Sequence, residues 1–90
     1  MRRDLSLPYR AVQGGHAVAQ WMMDHAGTWQ NEYLIYLDVP DLQALERWIY
    51  KLDLLEVSYS VFREPDLDNE LTAVAVLNHS KLFKKLRTMR

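Results

Sequence analysis

The period of the hydrophobic pattern changes along the chain, and each change marks an element. Val12, His16, Ala19 and Met23 recur at i, i+4, i+7 and i+11, which predicts a helix to about Ala26 with these residues as its apolar face. Ser6 offers an N-cap, Pro8 suits the first turn, and Gly27 ends the helix. Gly14-Gly15 lies inside it, at a cost of ~1 kcal/mol per glycine relative to alanine. The stripe keeps its phase across the pair, so the expectation is a backbone passing close by rather than a break. From Glu32 to Leu37 the chain reads Tyr33-Leu34-Ile35-Tyr36-Leu37, a strand by β-propensity. Asp38 to Asp41, with Pro40 inside, starts a second helix. Its core face is Leu42, Leu45, Ile49 and Leu52, with Trp48 beside it.

In the later half, Val57 to Phe62 alternates, and Leu71 to Leu77 is almost continuously apolar, as a strand covered on both faces is. The short charged loop between them predicts antiparallel pairing, whereas strands joined through a helix lie parallel by a right-handed crossover. Asn78 or Ser80 caps a last short helix whose Leu82, Phe83, Leu86 and Met89 face the core. Residues 1–5 are too few and too charged to make a core strand. The predicted class is α/β: a mixed four-stranded sheet with helices packed on it, its first strand truncated or nearly absent, in one domain over residues 1–90.

Composition narrows the function. Apolar residues make up 49% of the 90, with three Trp, five Tyr and two Phe, enough for a core in a single domain. A formal net charge of −1 removes the overall basic character of a non-specific nucleic-acid binder. The absence of Cys excludes disulfides and thiolate metal sites. No apolar run approaches the ~18–20 residues of a membrane span. Met1-Arg2-Arg3-Asp4-Leu5 lacks the apolar core of a signal peptide, so a cytoplasmic protein with no membrane partner is expected. Charge is uneven: Glu64, Asp66, Asp68 and Glu70 crowd residues 64–70, while Lys81, Lys84, Lys85, Arg87 and Arg90 follow with no acid among them. That basic tail reads either as a last helical turn suited to the macrodipole or as a phosphate-facing strip.

Candidate chemistry is sparse. His16, His25 and His79 have no metal-ligand spacing, and Asp66-x-Asp68-x-Glu70 lacks the Gly and distant Glu of an EF-hand, so no metal site is expected. Gly-x-Ser-x-Gly, P-loop and Gly-x-Gly-x-x-Gly motifs are absent. Tyr33, Tyr36 and Tyr59 read as core packing ahead of an RNA-stacking platform. His16 is either a hydrogen-bonded core imidazole or, with Gly14-Gly15 opening space beside it, a base or acid titrating near neutrality. Glu64 closes one strand before Pro65, and Thr72 lies one residue into the next, so the two are candidates to face each other at the sheet end.

Gly15-His16-Ala17-Val18-Ala19-Gln20 resembles the Gly-Lys-x-Ala-Ala-Gln opening of the first helix in type 2 peptidyl-tRNA hydrolases. Ser60-Val61-Phe62-Arg63-Glu64 resembles their third strand, which ends in Asp, and Thr72-Ala73-Val74-Ala75-Val76 their last strand, which begins with Thr. The resemblance runs from Asp4 to the end of the chain. It implies an α/β fold with a four-stranded mixed sheet and cleavage of the ester between peptide and tRNA, with no cofactor or required metal. By position it implies catalytic roles for His16, Glu64 and Thr72, and substrate contacts from Gly15, Gln20 and Arg63, with Lys81, Lys84 and Lys85 guiding the acceptor stem. His16 replaces the family's Lys, Glu64 its Asp, and the shorter acidic run Glu64–Glu70 its Asp-Ala-Gly-Arg-Thr-Gln loop. The shortened first strand implies a homodimer through the exposed sheet edge, or a native start upstream of Met1. The alternatives are a non-catalytic binding or regulatory protein of the same fold, using its acidic loop on a basic partner, and an unrelated sensory α/β domain.

Overall fold

The computed structural model describes residues 1–30, 33–77 and 79–89. The predicted strand start at Glu32 and the Asn78 cap lie outside them. Helix α1 spans Leu7–Asp24; Ser6 Oγ accepts from Tyr9 N at 3.4 Å, Pro8 sits in the first turn, and His25 N closes on Trp21 O. Helix α2 spans Leu42–Leu54, capped by Asp41, whose Oδ1 accepts from Ala44 N at 2.9 Å. The strands are β1 (Leu37–Asp38), β2 (Ser60–Glu64), β3 (Glu70–Ala75) and β4 (Arg87–Thr88). β2 pairs antiparallel with β3, and β1 with β4; Arg2 bridges Val39 in parallel, across the connection that α1 makes. The architecture is mixed α/β with four strands, as expected, but the strands form two small sheets instead of one.

The core divides between the two sides. Val39, Ala44, Leu45 and Leu71 form one cluster, with Leu42, Trp48 and Ile49 of α2 against it. That is the predicted face of α2, and each fully buried leucine there contributes ~2 kcal/mol. The other cluster joins Met1 to two small residues, Ala17 of α1 and Ala73 of β3, so α1 lies close to β2 and β3.

Five expectations are corrected. The inner face of α1 is Arg10, Gln13, Gly14, Ala17 and Trp21, not the Val12–His16–Ala19–Met23 stripe; Val12 is 56% and Met23 71% exposed. Both sets obey the same period, and the choice follows from partners supplied elsewhere: Arg10 Nη1 donates to Asp38 at 2.7 Å, and Gln13 accepts from Thr72. The close neighbours of Gly14 are side chains, not a backbone: a methyl group added there would meet Met1 Sδ at 2.6 Å and the Tyr36 ring at 3.0 Å. Tyr33–Tyr36 is not a strand, because β-propensity makes no strand without a ladder. Among described backbone groups only Met89 N reaches it, at Tyr36 O, 2.9 Å.

The predicted last helix is one 3-10 turn, Ser80–Phe83, followed by β4. A helix would place Leu86 and Met89 on one face; the extended chain sends Leu86 to the α2 cluster and Met89 to the α1 cluster. The first residues also contribute more than predicted. Met1 and Arg2 are buried, Arg3 N donates to Val39 O at 2.7 Å, and Arg2 Nη1 donates to Leu71 O at 3.1 Å and pairs with Glu70. No helix among the described residues is long and apolar enough to cross a membrane.

Candidate functional site

The three predicted catalytic residues, His16, Glu64 and Thr72, fall along the seam where α1 crosses the β2–β3 hairpin. The seam owes its geometry to a β-bulge. Phe62 pairs with Ala73 and Arg63 with Leu71, which leaves Thr72 without a cross-strand partner and turns its side chain toward the helix. Leu71, Thr72 and Ala73 are consequently all buried, where a regular strand would alternate. Thr72 Oγ1 donates to Gln13 Oε1 at 2.6 Å, both groups fully enclosed. One helical turn toward the C-terminus, the exposed His16 ring stacks on Phe62, centroids 4.4 Å apart and planes 15° apart. One turn toward the N-terminus, Tyr9 Oη donates to Glu64 Oε1 at 3.4 Å. Partial desolvation, then the Glu64 charge and this hydrogen bond, raise the Tyr9 phenol above its usual value.

The three proposed catalytic residues therefore share one seam but engage different partners: His16 with Phe62, Glu64 with Tyr9, Thr72 with Gln13. The other candidates are spread more widely. Gly15 is exposed, with the Tyr36 hydroxyl 3.8 Å from where its Cβ would stand. Gln20 Nε2 donates to Asp24 Oδ1 at 2.8 Å, and Arg63 reaches Asn69 O at 3.5 Å. Lys81, Lys84 and Lys85 are exposed beside the 3-10 turn. In the acidic loop, Glu70 is held by Arg2, whose guanidinium also keeps the Asp4 carboxyl below its ordinary range. Among the described residues no three His, Asp or Glu side chains converge to hold a metal ion.

Two cavities open elsewhere. One of about 160 Å³ lies among Gly14, Ala17, Tyr36, Trp48 and Leu52; another of about 430 Å³ lies among Trp21, Trp29, Tyr33, Ile35 and His79. Neither is lined by His16, Glu64 or Thr72. A Ser-His-Asp group does form at the end of α1. Ser60 Oγ donates to Asp24 Oδ2 at 2.7 Å with His25 Nδ1 at 3.4 Å, and His25 stacks on Trp21. The order is wrong for a nucleophile: the hydroxyl donates its hydrogen bond to the carboxylate and not to the imidazole, and Ser60 is buried. This group latches α1 to β2.

Gln13 and Tyr9 were not legible as site residues. Their signal was indirect: with His16 they sit at i, i+4 and i+7, a row along one side of the helix. Compared with family models, with curated proteins and with solved structures, the chain matches none.

Proposed function

We propose that the chain is a divergent peptidyl-tRNA hydrolase-like protein that cleaves the ester joining a peptidyl or aminoacyl group to the 3′ end of tRNA. Water is the nucleophile. It adds to the ester carbonyl as His16 takes its proton, and His16 returns that proton to the departing ribose oxygen as the ester C–O bond breaks, releasing the carboxylic acid and the tRNA hydroxyl. The observation that supports this reading most is His16 itself, an imidazole open to solvent yet held flat against Phe62. Glu64, at the same hairpin, orients the reacting groups together with Tyr9. Thr72 acts through Gln13, since its hydroxyl is committed to that amide.

The test is turnover of peptidyl-tRNA by the parent and by His16→Ala. The expected result is a loss of about 100-fold or more in kcat/KM. Equal turnover by the two proteins removes His16 from the reaction. A second reading, a non-catalytic binding protein of the same fold, is favoured by two observations: the Thr72 hydroxyl is enclosed, and carboxylates at residues 64–70 repel phosphates. Absence of turnover by the parent, with binding of a basic partner abolished by Asp66→Asn/Asp68→Asn, decides for it. The main reading places the protein in the cytoplasm and joins two copies through a sheet edge. A sedimentation mass equal to one chain strikes the dimer from it.

A further inference from the structure

We propose that the gap between β3 and the segment leading into β1 is a slot for an extended apolar peptide, which adds a strand there and presents its C-terminal carboxylate to the Met1 ammonium. The slot lies away from the His16 seam and does not depend on the ester reading. Its near end is filled by the chain itself. Met1 N donates to Leu37 O at 2.8 Å, Val39 N to Met1 O at 2.8 Å and Arg3 N to Val39 O at 2.7 Å, a short parallel ladder. On the other side, Arg2 Nη1 reaches Leu71 O, and the Met1 side chain clusters with Ala73 of β3. The first residues therefore lie between β1 and β3, and the spacing there is that of one intervening strand. At Met1 that strand stops, while both walls continue.

Leu34, Ile35 and Leu37 on one wall, with Ala75 and Val76 on the other, border both cavities. The smaller cavity begins at Met1 and the larger reaches Trp21, Trp29 and Tyr33, so the two follow one another along the slot. The walls are apolar in side chains and polar in backbone. Leu37 O accepts from Met1, and the N–H and C=O of one strand residue point the same way, so Leu37 N faces the slot. Among the described residues β3 pairs with β2 alone, which leaves its other edge open to a ladder. A peptide strand meets both features, its main chain bonding the edges and its alternate side chains entering the cavities. The segment from Tyr33 to Tyr36 spans ~13 Å at ~3.3 Å per residue, room for about four peptide residues. A strand collinear with residues 1–3 ends with its C-terminus at the Met1 nitrogen. Asp38, the acid beside that nitrogen, is already paired with Arg10 at 2.7 Å. The ammonium is the charge left over, and burial lowers its pKa to about 6 against the pull of Asp38, with Arg10 adding to the lowering. A peptide carboxylate supplies the missing counter-charge.

The experiment follows the anisotropy of a fluorescein-labelled tetrapeptide of valine and phenylalanine, with a free C-terminus or as its C-terminal amide. Parent and I35D proteins are compared at about pH 5.5, where the ammonium and the peptide carboxylate are both charged. Ile35 is 60% exposed at the rim of the slot, so I35D keeps the fold, which circular dichroism checks. The free acid is expected to bind the parent about tenfold more tightly than the amide, a preference that shrinks at about pH 8 as Met1 becomes neutral. I35D is expected to weaken both peptides by about tenfold or more, since it sets a carboxylate among the apolar walls. Equal affinity for acid and amide removes the Met1 contact and with it the assigned direction. Failure of the parent to bind either peptide, or binding untouched in I35D, overturns the slot. Decanoate, which has the carboxylate and the apolar tail but no backbone, is the competitor; displacement of the peptide by an equal concentration of it overturns the added strand. A parent that sediments as a dimer, becomes a monomer in I35D and takes no peptide gives the slot to a second copy, and the proposal falls.

Discussion

At single positions, the two adjacent glycines of α1 have opposite reasons to exist. An alanine methyl at Gly14 would stand 2.6 Å from Met1 Sδ and 3.0 Å from the Tyr36 ring, so one of them must shift. At Gly15 the nearest atom is the Tyr36 hydroxyl at 3.8 Å, an ordinary contact. Neither has positive φ, so the helical propensity of alanine is fully available. Gly15→Ala should therefore stabilise the fold by ~0.5–1 kcal/mol, and Gly14→Ala should destabilise it, as urea midpoints will show. If both substitutions stabilise, the packing of Met1 against α1 is not as described. Thr72 supplies the complementary case. Thr72→Val keeps the shape but leaves the buried Gln13 carbonyl without its donor, at a cost of ~1–3 kcal/mol. Removing both polar groups, as Thr72→Val with Gln13→Leu, should recover part of that loss in a double-mutant cycle.

Among elements, α1 shows how tertiary partners override a helical pattern. Its inner face carries Arg10 and Gln13 while Val12 and Met23 face solvent, because β1 and β3 offer a carboxylate and a hydroxyl at matching heights. The end of the helix is tied down by Asp24, which accepts from Ser60 and Gln20. Those two hydrogen bonds, Ser60 foremost, hold the Asp24 carboxyl below its usual range. A depressed carboxyl contributes stability above its unfolded value, and that contribution disappears as pH falls through the folded value. Melting temperatures of the parent should thus decline below about pH 4, where the Asp24→Asn protein, lacking that titration, declines less. Parallel decline in the two proteins would remove the latch from the account. At the other end of the chain, β4 replaces a predicted helix for an equally non-local reason: β1 supplies the ladder, and Leu86 and Met89 are claimed by different clusters.

For the molecule as a whole, one ion pair ties the α1 layer to the first sheet. Arg10 Nη1 and Asp38 Oδ2 are 2.7 Å apart with side chains 9% and 0% exposed. Removing one member of such a pair strands the other charge, at ~3–5 kcal/mol, a large part of the ~5–15 kcal/mol that holds a small domain folded. Arg10→Leu is expected to leave little folded protein at 37 °C, measured by circular dichroism, whereas Arg10→Leu with Asp38→Leu restores much of the loss. A single variant that melts with the parent would show that the pair does not link the layers.

What the chain order and local pattern determined is the α/β class, the α2 core face, the antiparallel hairpin of β2 and β3, and the capping of α1 by Ser6. These depend on periodicity, side-chain chemistry and loop length, all of which act over a few residues. Tertiary structure alone decided which of two equal-period stripes α1 buries, whether Tyr33–Tyr36 finds a ladder, how the tail ends, and where Thr72 points. Each of those choices depends on a partner far along the chain: Asp38 for Arg10, Thr72 for Gln13, β1 for β4, and a bulge created only when β2 and β3 pair. Local sequence sets what each segment prefers, but a buried polar group takes the face where its hydrogen bond is met, and that face exists only once the chain has folded.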